Sequence, residues 1–262
     1  MKKQLKISLI IPTYNEEKYI GKCLDSVFNL SRIPDEIIVV DNNSKDSTCE
    51  IVKHFKSVKL LKEKKQGQVF ARQLGFNHAS GDYLFTVDAD VEVDKGWLKI
   101  YEDEIIKNNY DAISGQVYGD DSRWIKIAAP VFNFYIFTVN RVLCGHHITF
   151  GSNMGMSRLY WQKIRSGVRM DPKYYEDYEY SFLIAKHGGK IGNIKKPYVK
   201  NSERVGYRGA AYMWDYLSGW HMTVWRFHKI AAIIIYPIEK IGFLLYLIIL
   251  LFYYRKSATV NS

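Results

Sequence analysis

Two aspartates separated by one residue are the groups in this sequence whose type and spacing first suggest chemistry. Asp88 and Asp90 follow the apolar run YLFTV, and residues two apart in an extended segment point to the same side. Carboxylate oxygens suit hard cations such as Mg²⁺ or Mn²⁺, which usually share their coordination shell with substrate phosphates. The pair therefore indicates a site for a divalent ion and a diphosphate, and a solvated acidic turn is the alternative interpretation.

The elements that precede this pair must position it. Apolar and β-branched runs predict four strands: Lys6–Ile11, Glu36–Val40, Val58–Leu61 and Tyr83–Val87. Helical spacing or N-cap residues predict a helix in each interval: Glu16–Leu30, the stretch from Asn43–Ser47 to Phe55, and Gln68–Ala79. This alternation predicts an α/β fold with a mostly parallel, doubly wound central sheet.

Ligands of such sheets bind beyond the carboxyl ends of the strands. Polar segments follow three of the predicted strands, at 13–16, 41–44 and 88–90. The turn after the first strand reads PTYNEE and lacks the G-x-G-x-x-G fingerprint of dinucleotide sites, and the sequence contains no P-loop motif. We therefore expect a metal-bridged phosphate ligand at this edge rather than a nicotinamide cofactor.

Ordered motifs across residues 5–195 resemble family 2 glycosyltransferases. In chain order they are ISLIIPTYNEE from Ile7, VVDNNSKDST from Val39, GQVFARQLGFNHASG from Gly67, the triplet Asp88-Ala89-Asp90, GSNMGM from Gly151, and Glu176-Asp177. The resemblance implies a Rossmann-like A-type glycosyltransferase fold. It also implies inverting transfer of a sugar from a nucleotide-sugar donor, which we expect to be a UDP-sugar.

The same resemblance assigns roles on the donor side of the site. It implies that the following residues bind the nucleotide sugar: Pro12, Thr13, Tyr14, Glu16, Asp41, Arg72, Asp88, Ala89 and Asp90. Within this set, Asp41 would bind uracil or another pyrimidine. Asp88 and Asp90 would ligate a Mg²⁺ or Mn²⁺ cofactor, with contact to the ribose as a second role for Asp88.

On the acceptor side, the resemblance implies that Asp177 is the general base that takes the proton of the acceptor hydroxyl. Glu176 and Glu179 are the alternative bases, and a purely structural capping role is open for all three because they begin a predicted helix. A lipid phosphate acceptor is already ionised and would need no base. A polyprenyl-phosphate sugar synthase is therefore an alternative within the same enzyme class.

The sequence departs from the family pattern near the acceptor side. Ser166-Gly167-Val168 stands where the family commonly has Gly-Gly-Phe, and Leu183 stands where an arginine is common. These departures motivate a second hypothesis, that the chain is a non-catalytic module that binds a nucleotide or lipid within a larger assembly.

The C-terminal part of the chain differs from the rest in charge and hydropathy. The formal net charge is +10, and from Lys195 onward there are ten basic and three acidic residues. The apolar runs Ile230–Tyr236 and Ile241–Tyr254 lie in this basic region. Basic residues beside apolar sequence favour an anionic membrane over nucleic acid as partner. A spanning helix, a helix lying in the membrane interface and a buried helix pair are all compatible with the pattern.

These observations predict a catalytic domain at 1–225 followed by a membrane-associated or transmembrane segment at 226–262. We divide the catalytic domain into a nucleotide-sugar-binding half, 1–120, and an acceptor half, 121–225. We expect an enzyme on the cytoplasmic face of the cell membrane, acting on a carbohydrate or lipid-linked acceptor in envelope polysaccharide, glycolipid or glycoprotein synthesis. Three cysteines with no zinc-like spacing favour a reducing compartment.

Overall fold

A computed structural model gives the structure of residues 4–118, 133–201 and 209–260. The alternating strands and helices predicted for the first part of the chain are confirmed. They are β1 (Ile7–Thr13), α1 (Ile20–Phe28), β2 (Glu36–Asp41), α2 (Thr48–His54), β3 (Val58–Lys62), α3 (Gln68–His78) and β4 (Tyr83–Thr86). Helix α1 begins later than predicted because Asn15 adopts a left-handed conformation (φ 54°) and a turn precedes Ile20.

The remaining described elements complete the sheet and add a C-terminal pair of helices. They are β5 (Val91–Glu92), α4 (Trp97–Asn108), β6 (Ala112–Tyr118), α5 (Asn140–Cys144), β7 (Met154–Ser157), α6 (Arg158–Ile164), α7 (Glu176–Lys186), β8 (Ile191–Asn201), α8 (Gly209–Phe227) and α9 (Lys229–Val260). A π-helical turn, Tyr135–Val139, precedes α5, and a 3₁₀ turn, Arg165–Gly167, follows α6.

Eight strands form one sheet in the order β3-β2-β1-β4-β7-β6-β8-β5. The strands β1 to β4 pair in parallel, whereas β7 runs antiparallel to both β4 and β6. The predicted mostly parallel sheet is therefore found in the first half, and the sheet as a whole is mixed. The direction of the short strand β7, with sequence MGMS, is decided by tertiary packing, and no local pattern in the sequence predicts it.

Apolar side chains cover both faces of the sheet, as the continuous apolar strands predict. On one face, Leu9 and Ile11 of β1 pack with Leu24 of α1. On the other face, Ile10 packs with Phe76 of α3. Helix α3 lies so close to β1 that a Cβ on Gly75 would be 2.4 Å from Cγ2 of Ile10. This close approach fixes the position of α3, which carries part of the site.

Helices α8 and α9 pack against α7 through a third apolar cluster, which includes Phe182, Trp220 and Ile235. Within the described residues, no helix combines the length and the apolar character that crossing a membrane requires. Strands from both predicted halves of the catalytic domain join the same sheet, and the boundary between them at 120 lies outside the described residues. The division at 225 stays a prediction.

A buried acid lies between α8 and α9. Glu239 is 3% exposed, and its Oε2 is 3.1 Å from Nδ1 of His221. Burial raises the pKa of Glu239 to about 8, against the lowering effect of Lys240. Burial and Lys240 lower the pKa of His221. Both shifts favour the uncharged form of the group concerned, so the contact is not an ion pair near neutral pH.

We predict that Glu239→Gln alters the pH dependence of stability. Because its pKa is raised in the folded state, Glu239 makes the free energy of unfolding fall as the pH rises from the ordinary glutamate range to about 8. The glutamine variant should be more stable than the wild type at pH 9. Urea denaturation at both ends of this range measures the effect, and an equal pH dependence in the two proteins would contradict the prediction.

Candidate active site

The carboxyl ends of β1 and β2 lie side by side and carry several residues predicted to bind the nucleotide. Pro12 and Thr13 are paired with Val40 and Asp41. Pro12 is buried, and the Thr13 hydroxyl donates a hydrogen bond to the Val40 carbonyl at 3.3 Å. Tyr14, the next residue, is 47% exposed. Pro12 and Thr13 therefore belong to the sheet at this edge, and Tyr14 is open to a ligand.

The turns that follow these two strands are tied to each other. The Glu16 N–H donates to Oγ1 of Thr48 at 2.8 Å, and the Asn15 N–H donates to the Ser44 hydroxyl at 3.0 Å. The Ser44 N–H in turn donates to Oδ1 of Asp41 at 3.2 Å. Asp41 is nearly buried and is held at the edge of the sheet by this turn.

Asn42 fixes the start of α3 at the same edge. Its Oδ1 accepts a hydrogen bond from the Gly67 N–H at 2.7 Å, and its Nδ2 donates to the carbonyls of Glu63 and Lys65. Gly67 has a φ of 137°, a backbone conformation that residues other than glycine rarely adopt. The first turn of α3 is therefore placed beside the ends of β1 and β2.

The guanidinium of Arg72, on α3, is buried between two carboxylates. Its Nη1 donates to Oε1 of Glu176, and its Nη2 donates to Oδ1 of Asp88 at 3.1 Å. Gln68, one turn earlier, donates to the same Asp88 oxygen at 2.9 Å. A Cβ on Gly151 would lie 2.7 Å from both Nη atoms, so the backbone of this glycine packs directly on the guanidinium. Arg72 therefore joins α3, the end of β4 and the start of α7.

Both carboxylate oxygens of Asp88 accept hydrogen bonds, because the Ser152 hydroxyl donates to Oδ2 at 2.6 Å. The segment Asp88-Ala89-Asp90 is not extended, so the same-side geometry of an extended segment does not apply to the two aspartates. The chain turns there, with the Val91 N–H donating to the Asp88 carbonyl at 3.2 Å, and Ala89 is buried in the core. The side chain of Asp88 is 27% exposed and Asp90 is half-buried, so both residues border solvent at the site.

The adjacent acids Glu176 and Asp177 are both buried but have different partners. Glu176 pairs with Arg72, whereas Asp177 accepts hydrogen bonds from backbone N–H groups. Its Oδ2 accepts from Gly151 at 2.7 Å, and its Oδ1 accepts from Tyr178 at 3.0 Å. The site thus contains one carboxylate neutralised by a cation and one stabilised by amide dipoles.

Burial governs the titration of both groups. It raises the pKa of Glu176 to about 7, although Arg72 opposes the shift. It also raises the pKa of Asp177, although Arg72 and the two N–H donors lower it. The carboxylates of Asp88, Glu176 and Asp177 outnumber the single guanidinium among them. A cation that entered this cluster would therefore reduce the repulsion between the three carboxylates.

The third candidate base, Glu179, has partners away from the cluster around Arg72. It is fully buried, forms an ion pair with Arg226 of α8, and accepts a hydrogen bond from the Arg169 N–H at 2.6 Å. Leu183 is also buried and contacts the position of Gly167. Among the three acids, Asp177 is influenced by the charge of Asp88 and, within the described part of the chain, has backbone N–H partners instead of an ion pair.

Whether a divalent ion fits this site depends on the carboxylates that border it. No group of three or more His, Cys, Asp or Glu side chains that could hold a metal occurs in the described ranges. Mg²⁺ is usually held by one or two carboxylates together with substrate phosphates and water. Asp88 and Asp90, which both border solvent, would be the two carboxylates for an ion of that kind, held together with its diphosphate ligand.

Sequence reasoning missed several residues that build the site. The roles of Asn42, Gln68, Gly151 and Ser152 were not predicted, although all lie within the motifs quoted above. The spacing of four between Gln68 and Arg72 places both side chains on one face of α3. That spacing is the local signal in the sequence that Gln68 and Arg72 could share a partner, which the structure shows to be Asp88.

The comparisons with known proteins agree with this fold. The model of the family "Glycosyl transferase family 2" matches residues 8–165. The chain therefore belongs to glycosyltransferase family 2. It is 28% identical over 191 residues to "Glycosyltransferase GlyA" of Streptococcus pneumoniae, a match that covers 71% of this chain and 24% of that protein.

A second relative is the "Dolichyl N-acetyl-alpha-D-glucosaminyl phosphate 3-beta-D-2,3-diacetamido-2,3-dideoxy-beta-D-glucuronosyltransferase" of Methanococcus voltae. It is 37% identical over 101 residues, which cover 36% of this chain and 32% of that protein. The matches thus cover 24% and 32% of the length of these two relatives.

Solved structures show the same fold. Staphylococcus aureus TarS 1–349 in complex with UDP-GlcNAc aligns with a TM-score of 0.63 and 20% identity, covering 84% of this chain and 66% of that one. The mannosyltransferase PcManGT of Pyrobaculum calidifontis in complex with GDP-Man and Mn²⁺ aligns with a TM-score of 0.66 and 20% identity, covering 82% and 62%. The predicted A-type glycosyltransferase fold is confirmed at the level of this mixed α/β sheet.

We predict that Gly151→Ala disrupts the site. The new Cβ would lie within 3 Å of the Arg72 guanidinium, so the arginine or the loop must move. We expect transferase activity, measured as UDP release, to fall by about tenfold or more, because small displacements of positioned groups are costly. Gly96→Ala is the matched control, since its Cβ would make an ordinary 3.6 Å contact. Equal activity in the two variants would contradict the prediction.

Proposed function

We propose that this protein is an inverting glycosyltransferase that moves a sugar from a nucleotide-sugar donor, most simply a UDP-sugar, to a carbohydrate or lipid-linked acceptor. The observation that carries the proposal is the convergence of Asp88, Arg72 and Asp177 at the carboxyl edge of the sheet. The family supports transfer from an activated sugar. The UDP-GlcNAc and GDP-Man complexes of two structural neighbours support a nucleotide-sugar ligand for this fold.

On the donor side, Tyr14 and Asp41 lie at the edge where the nucleoside would bind. Arg72 does not face solvent, so we assign it the task of holding Asp88 rather than contacting the nucleotide. Asp88 and Asp90 would hold a Mg²⁺ or Mn²⁺ ion on the diphosphate. Such an ion, when bound, offsets the charge that develops on the leaving nucleoside diphosphate.

On the acceptor side, Asp177 accepts the proton of the attacking hydroxyl. Its two oxygens each accept one backbone hydrogen bond, and a carboxylate has further lone pairs that remain for the acceptor. The N–H groups of Gly151 and Tyr178 hold the carboxylate in one orientation. Glu176 balances the charge of Arg72 beside it, so the two neighbouring acids have separate tasks.

We place the reaction in the synthesis of an envelope polysaccharide, glycolipid or glycoprotein glycan on the cytoplasmic face of the membrane. The name of the Methanococcus voltae relative includes a dolichyl-linked sugar acceptor, which supports a glycan product. The basic, apolar C-terminal segment supports attachment to a membrane.

We predict that Asp90→Asn removes most of the sugar-transfer activity. Replacing a charged ligand by an amide weakens the hold on a divalent ion, so UDP release from UDP-GlcNAc or UDP-glucose, with membranes as acceptor source, should fall by about a hundredfold. Asp94→Asn, which removes an exposed carboxylate on the same segment, is the control and should keep its activity. Full activity of Asp90→Asn, or no turnover of any nucleotide sugar by the wild type, would refute the proposal.

We predict a different result for Asp177→Asn. The amide cannot accept the proton, so kcat should fall by about 10²–10⁴-fold while the affinity for UDP, measured by calorimetry, is unchanged. Retained kcat with a polyprenyl phosphate acceptor would identify the alternative reaction, in which the acceptor oxygen is already ionised. UDP binding without turnover of any acceptor would instead favour the non-catalytic module.

A further inference from the structure

The outer face of α9 is an apolar surface that the described part of the chain leaves exposed. It consists of six side chains: Ile230, Ile233, Ile234, Ile238, Ile241 and Leu244. Their exposed fractions run from 39% to 69%. They follow helical spacing over about 21 Å of the helix axis. On the opposite side of the same stretch, Ala231, Ala232 and Ile235 are buried against α7 and α8.

Aromatic rings and basic residues border this outer face. Trp225 of α8 is 44% exposed, and a chain of ring contacts leads from it through His221 to Tyr236 of α9, at centroid distances of 6.3 and 5.2 Å. Arg226 and Lys229 are exposed where α8 passes into α9. The surface thus has an apolar centre, amphipathic rings at its side and cations at one end.

We propose that the outer face of α9 docks on the surface of an anionic lipid bilayer, with the axis of α9 parallel to the membrane plane. The isoleucines and Leu244 would enter the boundary of the acyl chains, and the rings of Trp225 and Tyr236 suit the depth of the headgroups. The exposed Lys229 would contact lipid phosphates, whereas the nearby Arg226 is paired with Glu179. We favour an anionic bilayer over a second copy of this chain as the partner. A second copy would place its own basic residues against those of the first, and the like charges would repel.

Docking of α9 in this way would fix the distance between the membrane and α7, the helix that carries the proposed base Asp177. Tyr178 of α7 packs on Trp220 at 6.0 Å, and Phe182 stacks on Phe227 at 5.0 Å. Glu179 of α7 pairs with Arg226. The helix that begins with the proposed base therefore packs directly on the pair of helices that binds lipid. This consequence rests on the proposed function, whereas lipid binding itself does not.

The test is co-sedimentation of the full chain with vesicles of phosphatidylcholine, alone or mixed with phosphatidylglycerol. The wild type should bind the mixed vesicles more strongly, and high salt should weaken binding. The variant Ile233→Asp/Ile241→Asp should lose about tenfold or more of its partition coefficient. Val142→Asp/Leu159→Asp is the matched control, since these exposed apolar residues lie outside α8 and α9, and it should bind as the wild type does.

Calorimetric titration with UDP is the second measurement for each variant, and unchanged UDP affinity shows that the remaining fold is intact. Equal loss of vesicle binding in the control, or no binding by the wild type, would overturn the proposal. So would resistance of the bound chain to extraction by alkaline carbonate, which would show a spanning segment. A dimer that the Ile233→Asp/Ile241→Asp variant abolishes, without vesicle binding by the wild type, would assign the face to a second copy. Failure of wild-type UDP binding would count against the proposed function alone.

Discussion

The buried guanidinium of Arg72 is the interaction on which the rest of the site depends. It joins carboxylates that are 16 and 104 residues away in sequence, those of Asp88 and Glu176. A charge this deeply buried is stable only when it is paired, and removal of one partner from such a pair typically costs about 3–5 kcal/mol. The ion pairs of Arg72 therefore hold α3, the end of β4 and the start of α7 in one arrangement.

This arrangement needs close packing of the backbone at two glycines. Gly75 lets α3 approach β1, and Gly151 lets the loop before β7 lie on the guanidinium. The same loop donates the Gly151 N–H to Asp177 and the Ser152 hydroxyl to Asp88. One short loop thus contacts the proposed donor-side acid, the proposed base and the arginine that links them. Its position is fixed from behind by Asn153, which accepts hydrogen bonds from Trp97 and Tyr101.

Sequence reasoning predicted β1, β2 and β4 because each is a largely apolar run between polar turns. It placed Asp41 and Asp88 at one edge because parallel strands end on the same side. It did not reach the partners of Arg72, because they depend on how far α3 approaches the sheet. The direction of β7 and the turn at Ala89 were missed for the same reason, since tertiary packing decides both.

Two neighbouring acids can have different tasks because their partners differ rather than because their types do. Glu176 forms an ion pair with the guanidinium of Arg72, so the negative charge of Glu176 has a structural role. Asp177 lies against amide dipoles, which orient a carboxylate without neutralising it. Burial opposes ionisation of both, so each ionised form depends on its neighbours. Under the proposed function, a divalent cation held by Asp88 would offset the charge of that carboxylate, which raises the pKa of Asp177, and would so favour the ionised form of Asp177.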